Sequence, residues 1–237
     1  MPADPVTPLI LAVDATHEFG SLALARGETV LEEVPLHSPS GFGHILFERI
    51  SRLLGGHDLK PESIDCFAAA SGPGSFTGVR VGLACVKGLA EALGKPALAV
   101  SNLRSLAWFG SAALRATVLD ARRGEIYGAV YDAAGALVAP EVVAKFPAWL
   151  ESLPEGVSEF GSTDFAPFRA ALAGTRFEQA SVVTAPRALA GAIARFALAA
   201  WLNGEPADPA ALDANYVRRA DAELFWEDRE GPRAKAT

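Results

Sequence analysis

Cysteine is nearly missing from this chain: Cys66 and Cys85 are the only two in 237 residues. Two thiols, each inside an apolar stretch, build neither a disulfide framework nor a cysteine metal site, and they read as small buried hydrophobes. Histidine is scarce too. No two of His17, His37, His44 and His57 stand four apart, which excludes a helical zinc pair and leaves each as an ordinary loop or surface residue. Long apolar runs are lacking. The greasiest stretch, Ala188 to Leu202, contains Arg195 and falls short of the ~20 residues that span a bilayer. Met1 to Thr7 has neither the basic start nor the apolar core of a signal peptide, so the expected location is the cytoplasm, with no membrane partner. Basic residues are outnumbered, 21 to 28, for a net charge of −7. Phosphate neutralisation supplies much of the affinity for nucleic acid, and the only basic pairs are Arg122-Arg123 and Arg218-Arg219. Any work on RNA therefore leaves most of the holding to another chain.

What is present is apolar: half of the residues are hydrophobic, enough to bury one large core or two smaller ones. The chain is organised around Ser71-Gly-Pro-Gly-Ser75-Phe-Thr-Gly78-Val-Arg80-Val-Gly-Leu83. The run Phe67 to Ala70 reads as a strand that stops at a tight turn over Gly72, Pro73 and Gly74. Ser75 or Thr77 then caps a helix running to Leu93, which Gly94 and Pro96 terminate. At about 100° per residue, Gly78, Gly82, Cys85 and Leu89 share one stripe, and Val79, Leu83, Val86 and Ala90 share the next. That arc is roughly twice the ~100° needed to cover one sheet. The helix is therefore expected to have two packing partners, and the second is either a crowded core or another chain lying on the glycine stripe. A phosphate-binding turn fits poorly. The P-loop needs Gly-Lys-Ser/Thr where Gly78-Val79-Arg80 stands, and no acid follows Ala97 to Val100 as a dinucleotide fingerprint requires. Ser75 lies outside a Gly-x-Ser-x-Gly elbow, since Pro73 takes the first glycine's place.

Around this stretch, Leu9 to Val13, Ser21 to Arg26 and Thr29 to Pro35 read as an antiparallel meander, and His44 to Leu54 as an amphipathic helix ended by Gly55-Gly56. A strand follows at Ala97 to Val100, then a helix from Ser101 to Ala113. Val118-Leu-Asp120-Ala, with a return strand at Ile126 to Tyr131, echoes Ala12-Val-Asp14-Ala with Ser21 to Leu24, 106 residues earlier. The echo is either coincidence between two common hairpins or the mark of a duplicated fold. Pro140 to Gly174 shows only short elements, Pro186 to Asn203 a strong helix, Asp213 to Arg219 an extended piece, and the residues after Glu227 a polar tail. Asp14 and Asp120 can ligate magnesium if two halves face each other across a cleft, with Arg122 and Glu125 beside them. As turn aspartates they bond instead to nearby backbone N–H groups.

The glycine-proline motif, together with Leu119-Asp-Ala-Arg-Arg-Gly-Glu-Ile-Tyr127, the opening Ile10-Leu-Ala-Val-Asp14 and the late Tyr216-Val-Arg218, closely resembles the TsaB (YeaZ) family. The resemblance covers most of residues 9 to 219. It implies an α/β, actin-like (ASKHA, ribonuclease H-like) fold of two related halves, with mixed sheets flanked by helices. The halves would be residues 8–104 and 105–219, with flexible tails at 1–7 and 228–237. It implies a non-catalytic subunit that pairs with the homologous TsaD and, with the ATPase TsaE, supports transfer of threonylcarbamoyl to N6 of adenosine 37 in tRNAs reading ANN codons. tRNA would be met only indirectly. Docking would use the first two helices, through His44, Leu46, Phe47, Ile50, Phe76, Gly78, Val79, Gly82, Cys85, Val86 and Leu89. The motif turn comprises Gly72, Pro73, Gly74, Ser75, Thr77 and Arg80. No metal or cofactor is implied for this chain. A nucleotide at the partner interface and a homodimer of the isolated chain are left open. The His-x-x-x-His pair of the catalytic member is absent, as are the phosphate-binding glycines of actin-like ATPases. The competing readings are a metal-dependent peptidase or ATPase of the same superfold, and a self-associating binding module.

Overall fold

The structure is a computed structural model that describes residues 7–205 and 207–217. Strand β1 (Leu9–Asp14) is buried on both faces, as an uninterrupted apolar run requires of a central strand. It turns into β2 (Phe19–Arg26), which returns antiparallel and continues through Gly27, at φ +56°, into β3 (Thr29–His37) at the sheet edge. Helix α1 (Leu46–Gly56) leads to β4 (Cys66–Gly72), α2 (Phe76–Leu93) and β5 (Ala97–Ser101). Both β4 and β5 run parallel to β1, giving the order β3-β2-β1-β4-β5.

The second sheet repeats this plan. After α3 (Asn102–Ala107) come β6 (Leu114–Arg122), β7 (Glu125–Asp132), β8 (Leu137–Lys145), α4 (Phe146–Ser152), β9 (Glu159–Ser162) and β10 (Ser181–Thr184). Their order is β10-β9-β6-β7-β8, with an antiparallel meander and two parallel strands, as in the first sheet. The echo between the two aspartate hairpins is thus a repeat of whole-sheet topology.

The first sheet is covered on one face by α1 and α2, where Leu46, Ile50, Leu53, Val79, Leu83 and Val86 pack on Leu11, Val13, Leu22, Leu24 and Phe67. Its other face meets α3 and α5 (Ala190–Leu202) in a core that also takes Leu119, Ala129 and Tyr131 from the second sheet. These two helices are therefore the layer between the sheets. The outer face of the second sheet is closed by Phe146, Trp149 and Leu150 of α4 with Phe160, Phe165 and Phe177.

Several sequence expectations change. Pro140 lies inside the nine-residue β8 and not in a region of short pieces; β8 is an edge strand, where a missing N–H is tolerated. Helix α3 stops at Ala107, because Leu114 onward is recruited into β6. Gly55 and Gly56 lie within α1, which His57 ends. Helix α5 starts at Ala190 rather than at Pro186, and its N-cap, Leu189, offers no side-chain acceptor. The cap comes from far away in sequence. Ser21 Oγ accepts from the N–H groups of Leu189 (3.0 Å) and Ala190 (2.9 Å), and Glu33 Oε1 accepts from that of Gly191 (2.8 Å).

The expected 105–219 unit is also divided. From α5 onward the chain returns to the first sheet, and residues 207–217 form a strap along α2. Lys87 Nζ donates to the carbonyls of Ala210 (3.1 Å) and Leu212 (2.8 Å), and Asn215 N–H to that of Ser71 (2.8 Å). Residues 213–217 form no strand. Arg218, Arg219 and the expected tails, apart from Thr7, lie outside the described residues.

Candidate functional site

The glycine turn locks the start of α2 onto the turn between β1 and β2. Ser75 Oγ accepts from Gly78 N–H (3.3 Å), the expected cap, while Ser75 N–H donates to the Thr16 carbonyl (2.7 Å). Gly72 sits at φ +102°, precedes a cis peptide to Pro73, and donates its N–H to Asn102 Oδ1 (3.1 Å). A Cβ at Gly74 would strike Thr16, and one at Gly78 would overlap the Ala15 carbonyl oxygen; one at Gly82 would lie 3.5 Å from the Ala15 Cβ. The glycines exist so that the protein's own turn can approach the helix. The second chain considered for this stripe is therefore replaced by residues Ala15 and Thr16, and Gly78 and Gly82 are withdrawn from the docking surface.

Of the remaining expected interface residues, Leu46, Ile50, Val79, Cys85 and Val86 are all under 6% exposed and belong to the core beneath the helices. Burial pushes the thiols of Cys66 and Cys85 up to about 12. His44 is exposed, Leu89 is half-buried, and Phe47 (59% exposed) and Phe76 (43%) stand out in solvent, one on each helix. The outward side of α2 continues through Thr77, Arg80, Ala84, Gly88 and Ala92.

The two hairpin turns meet at a cleft of about 470 Å³ between the sheets, lined by Asp14, His17, Phe19, Gly74, Ser75, Asp120, Arg122, Tyr127, Thr163 and Arg187 among others. The two aspartates behave alike: Asp14 Oδ1 accepts from Thr16 N–H (3.0 Å) and Asp120 Oδ1 from Arg122 N–H (2.8 Å). Asp14 is further engaged by Thr16 Oγ1 (2.7 Å) and Asn102 Nδ2 (3.3 Å) at 1% exposure. These bonds are those of a carboxylate that holds the turn, the second of the two roles open to it. Among the described residues no group of three or more His, Cys, Asp or Glu is placed to hold a metal ion. Arg122 and Arg123 are exposed and occupy left-handed backbone, φ +67° and +57°, and Glu125 pairs with Arg122 in register but does not line the cleft.

Sequence reasoning missed His17, Asp164 and Arg187 as lining residues, because nothing in the spacing brings residues 17, 164 and 187 together. The His17 Nε2 is buried with no hydrogen-bond partner. Burial holds its pKa below 6.5, with Asp14 pulling upward and Arg122 reinforcing the depression. Four carboxylates (Asp14, Glu18, Asp120, Asp164) and two guanidiniums (Arg122, Arg187) line the cleft, so its lining is net acidic. No helix among the described residues is long and apolar enough to cross a membrane.

Comparison with known proteins agrees with this geometry. Residues 34–185 match the family model described as TsaD: tRNA N6-adenosine threonylcarbamoyltransferase. The tRNA threonylcarbamoyladenosine biosynthesis protein TsaB of Bacillus subtilis is 34% identical over 151 residues, 62% of this chain and 66% of that protein. The protein of the same name from Escherichia coli is 35% identical over 126 residues, 52% of this chain and 54% of that one. The chain thus spans about half to two thirds of the length of these relatives. The solved structure of YeaZ from Pseudomonas aeruginosa superposes with a TM-score of 0.75 at 25% identity, covering 88% of this chain and 99% of that one. Two sheets of one strand order, the glycine turn locked on the first hairpin and these matches together show that the chain belongs to the TsaD-type family, in its TsaB/YeaZ branch.

Proposed function

We propose that this chain is a non-catalytic subunit for threonylcarbamoyl modification of tRNA in the cytoplasm. It pairs with a TsaD-like catalytic homologue and, with a TsaE-like ATPase, supports transfer to N6 of adenosine 37 in tRNAs reading ANN codons. The observation that carries the reading is membership of a family whose TsaB-named relatives bear this biosynthetic role in their names, on a chain without the His-x-x-x-His pair. Docking uses the outward faces of α1 and α2, where Phe47 and Phe76 are exposed and Ala84, Gly88 and Ala92 let another helix approach closely. Burying one such phenylalanine supplies about 1.5–3 kcal/mol.

Two features weigh against the ATPase alternative. The start of α2, where a phosphate would sit, is taken by the Ala15 and Thr16 carbonyls. The net acidic lining of the cleft also opposes a polyphosphate. The acidic chain reaches tRNA only through its partner. Sedimentation of the full chain with the TsaD homologue of its own organism tests the reading. A stable heterodimer is expected, and Phe47→Asp or Ala84→Arg should weaken it at least tenfold with unchanged melting of the isolated variant. Assembly of both variants at wild-type strength would remove α1 and α2 as the docking face.

A further inference from the structure

Arg80 stands at the first turns of α2, exposed, where it joins the helix to the strap and still turns the end of its guanidinium fork to solvent. Its guanidinium carbon lies 3.7 Å above the centre of the Phe76 ring and 5.7 Å from that of Tyr216. Its Nε donates to Tyr216 Oη at 2.7 Å, and the two rings pack at 5.6 Å. The strap carries Tyr216 to this place and is itself fixed by Lys87 and by the Asn215 bond to Ser71. A long side chain that ordinarily samples many rotamers is thus held in one. Among the described residues no carboxylate lies within salt-bridge distance of the fork's terminal nitrogens. The positive end of the α2 dipole lies beside it, which disfavours a cation there unless an anion joins it.

We infer that Arg80 is the electrostatic anchor of the docking face, a preformed fork for one carboxylate of the partner chain; this rests on the docking reading above. A guanidinium takes a carboxylate through two parallel N–H···O bonds, and its immobilisation before binding removes much of the ordering cost. An arginine flanked by exposed aromatic rings is also the composition of an interface hot spot. The occupant is a protein carboxylate rather than an RNA backbone. A polyanion calls for several cations in a row, whereas Lys87, the next base along α2, is committed to strap carbonyls and the chain as a whole carries −7.

The test is the dissociation constant of the full chain and its TsaD homologue, measured by calorimetry at low and high salt. Arg80→Glu is expected to weaken binding about 30-fold or more, the scale of a hot-spot loss. Arg80→Lys, which keeps the charge but not the fork, should weaken it about tenfold. Substituting lysine or arginine for one particular partner Asp or Glu should restore binding to Arg80→Glu. Neutralising Asp221 and Glu223 in the full chain should leave the dependence on Arg80 intact. Wild-type affinity in Arg80→Glu would overturn the inference while the docking reading stands; absence of any complex with the wild-type chain would instead defeat the docking reading. An Arg80 dependence that vanishes when Asp221 and Glu223 are neutralised, or that appears in tRNA binding by the isolated chain and not in partner binding, would also overturn it.

Discussion

Two glycines on one helix should respond in opposite ways to the same added methyl group. Gly78 and Gly88 both lie within α2 and both forgo the ~1 kcal/mol by which alanine is the better helix former. At Gly88 a Cβ meets nothing within 4 Å, so Gly88→Ala should stabilise by up to about 1 kcal/mol and raise the melting temperature by ~2–4 °C for a chain of this size. At Gly78 the same atom overlaps the Ala15 carbonyl oxygen, which is backbone and has no rotamer to change. The turn must withdraw, straining the bond from Ser75 N–H to the Thr16 carbonyl and the Asp14–Thr16–Asn102 cluster. Overpacking of this kind costs about 1–3 kcal/mol, and a loosened hydrogen bond adds about 0.5–1.5. After the helix-propensity gain, Gly78→Ala should still destabilise, and the two variants should differ by about 2–3 kcal/mol. Calorimetric melting of both reads this as a gap of roughly 5–10 °C. Equal melting temperatures, or a Gly78→Ala variant above the wild type, would refute the claim that the glycine stripe serves the chain's own turn.

The buried His17 should make stability depend on pH in a definite direction. Its folded pKa lies below the ordinary 6.5, so the unfolded chain binds the extra proton first, and stability falls as pH drops from 6.5 toward the folded value. Urea unfolding at pH 7.5 and 5.5 should show a larger loss for the wild type than for His17→Gln, and identical losses would contradict this. Ser21→Ala removes the one oxygen that accepts from two N–H groups at the start of α5, leaving Glu33 on the third, and should cost about 0.5–2 kcal/mol. Melting of that variant is the check, and a loss below about 0.3 kcal/mol would show the cap to be idle.

Much of the fold was legible in local chemistry. The meander, the Ser75 cap and the Gly94 stop rest on contacts between near neighbours, and the structure keeps all three, with Gly94 at φ +61°. The second hairpin was visible because Val118-Leu-Asp120-Ala repeats Ala12-Val-Asp14-Ala, and in the structure Asp120 makes the same i to i+2 bond as Asp14. What sequence reasoning missed depends on distant partners. The wide apolar arc of α2 correctly demanded a second neighbour, but periodicity cannot say whether that neighbour is Ala15 or another molecule. The start of α5 was misplaced because its cap sits on Ser21 and Glu33, more than 150 residues upstream. The strap was unreadable for the same reason: Lys87 holds it through carbonyls, which every residue carries, and its side-chain contact, Arg80 with Tyr216, joins residues 136 apart. The cleft aspartates could be read as ligands or as turn carboxylates, and the bonds of Asp14 to Thr16 and Asn102 are those of the second reading.

The proposed role is tested most directly by reconstitution. The full chain is combined with the TsaD and TsaE homologues of its organism, a threonylcarbamoyl donor and an ANN-reading tRNA, each component is left out in turn, and modified adenosine 37 is quantified by mass spectrometry of the digested tRNA. Modification should require this chain together with the TsaD homologue, and this chain alone should yield none. Full modification in its absence, or modification by the isolated chain, would contradict the account.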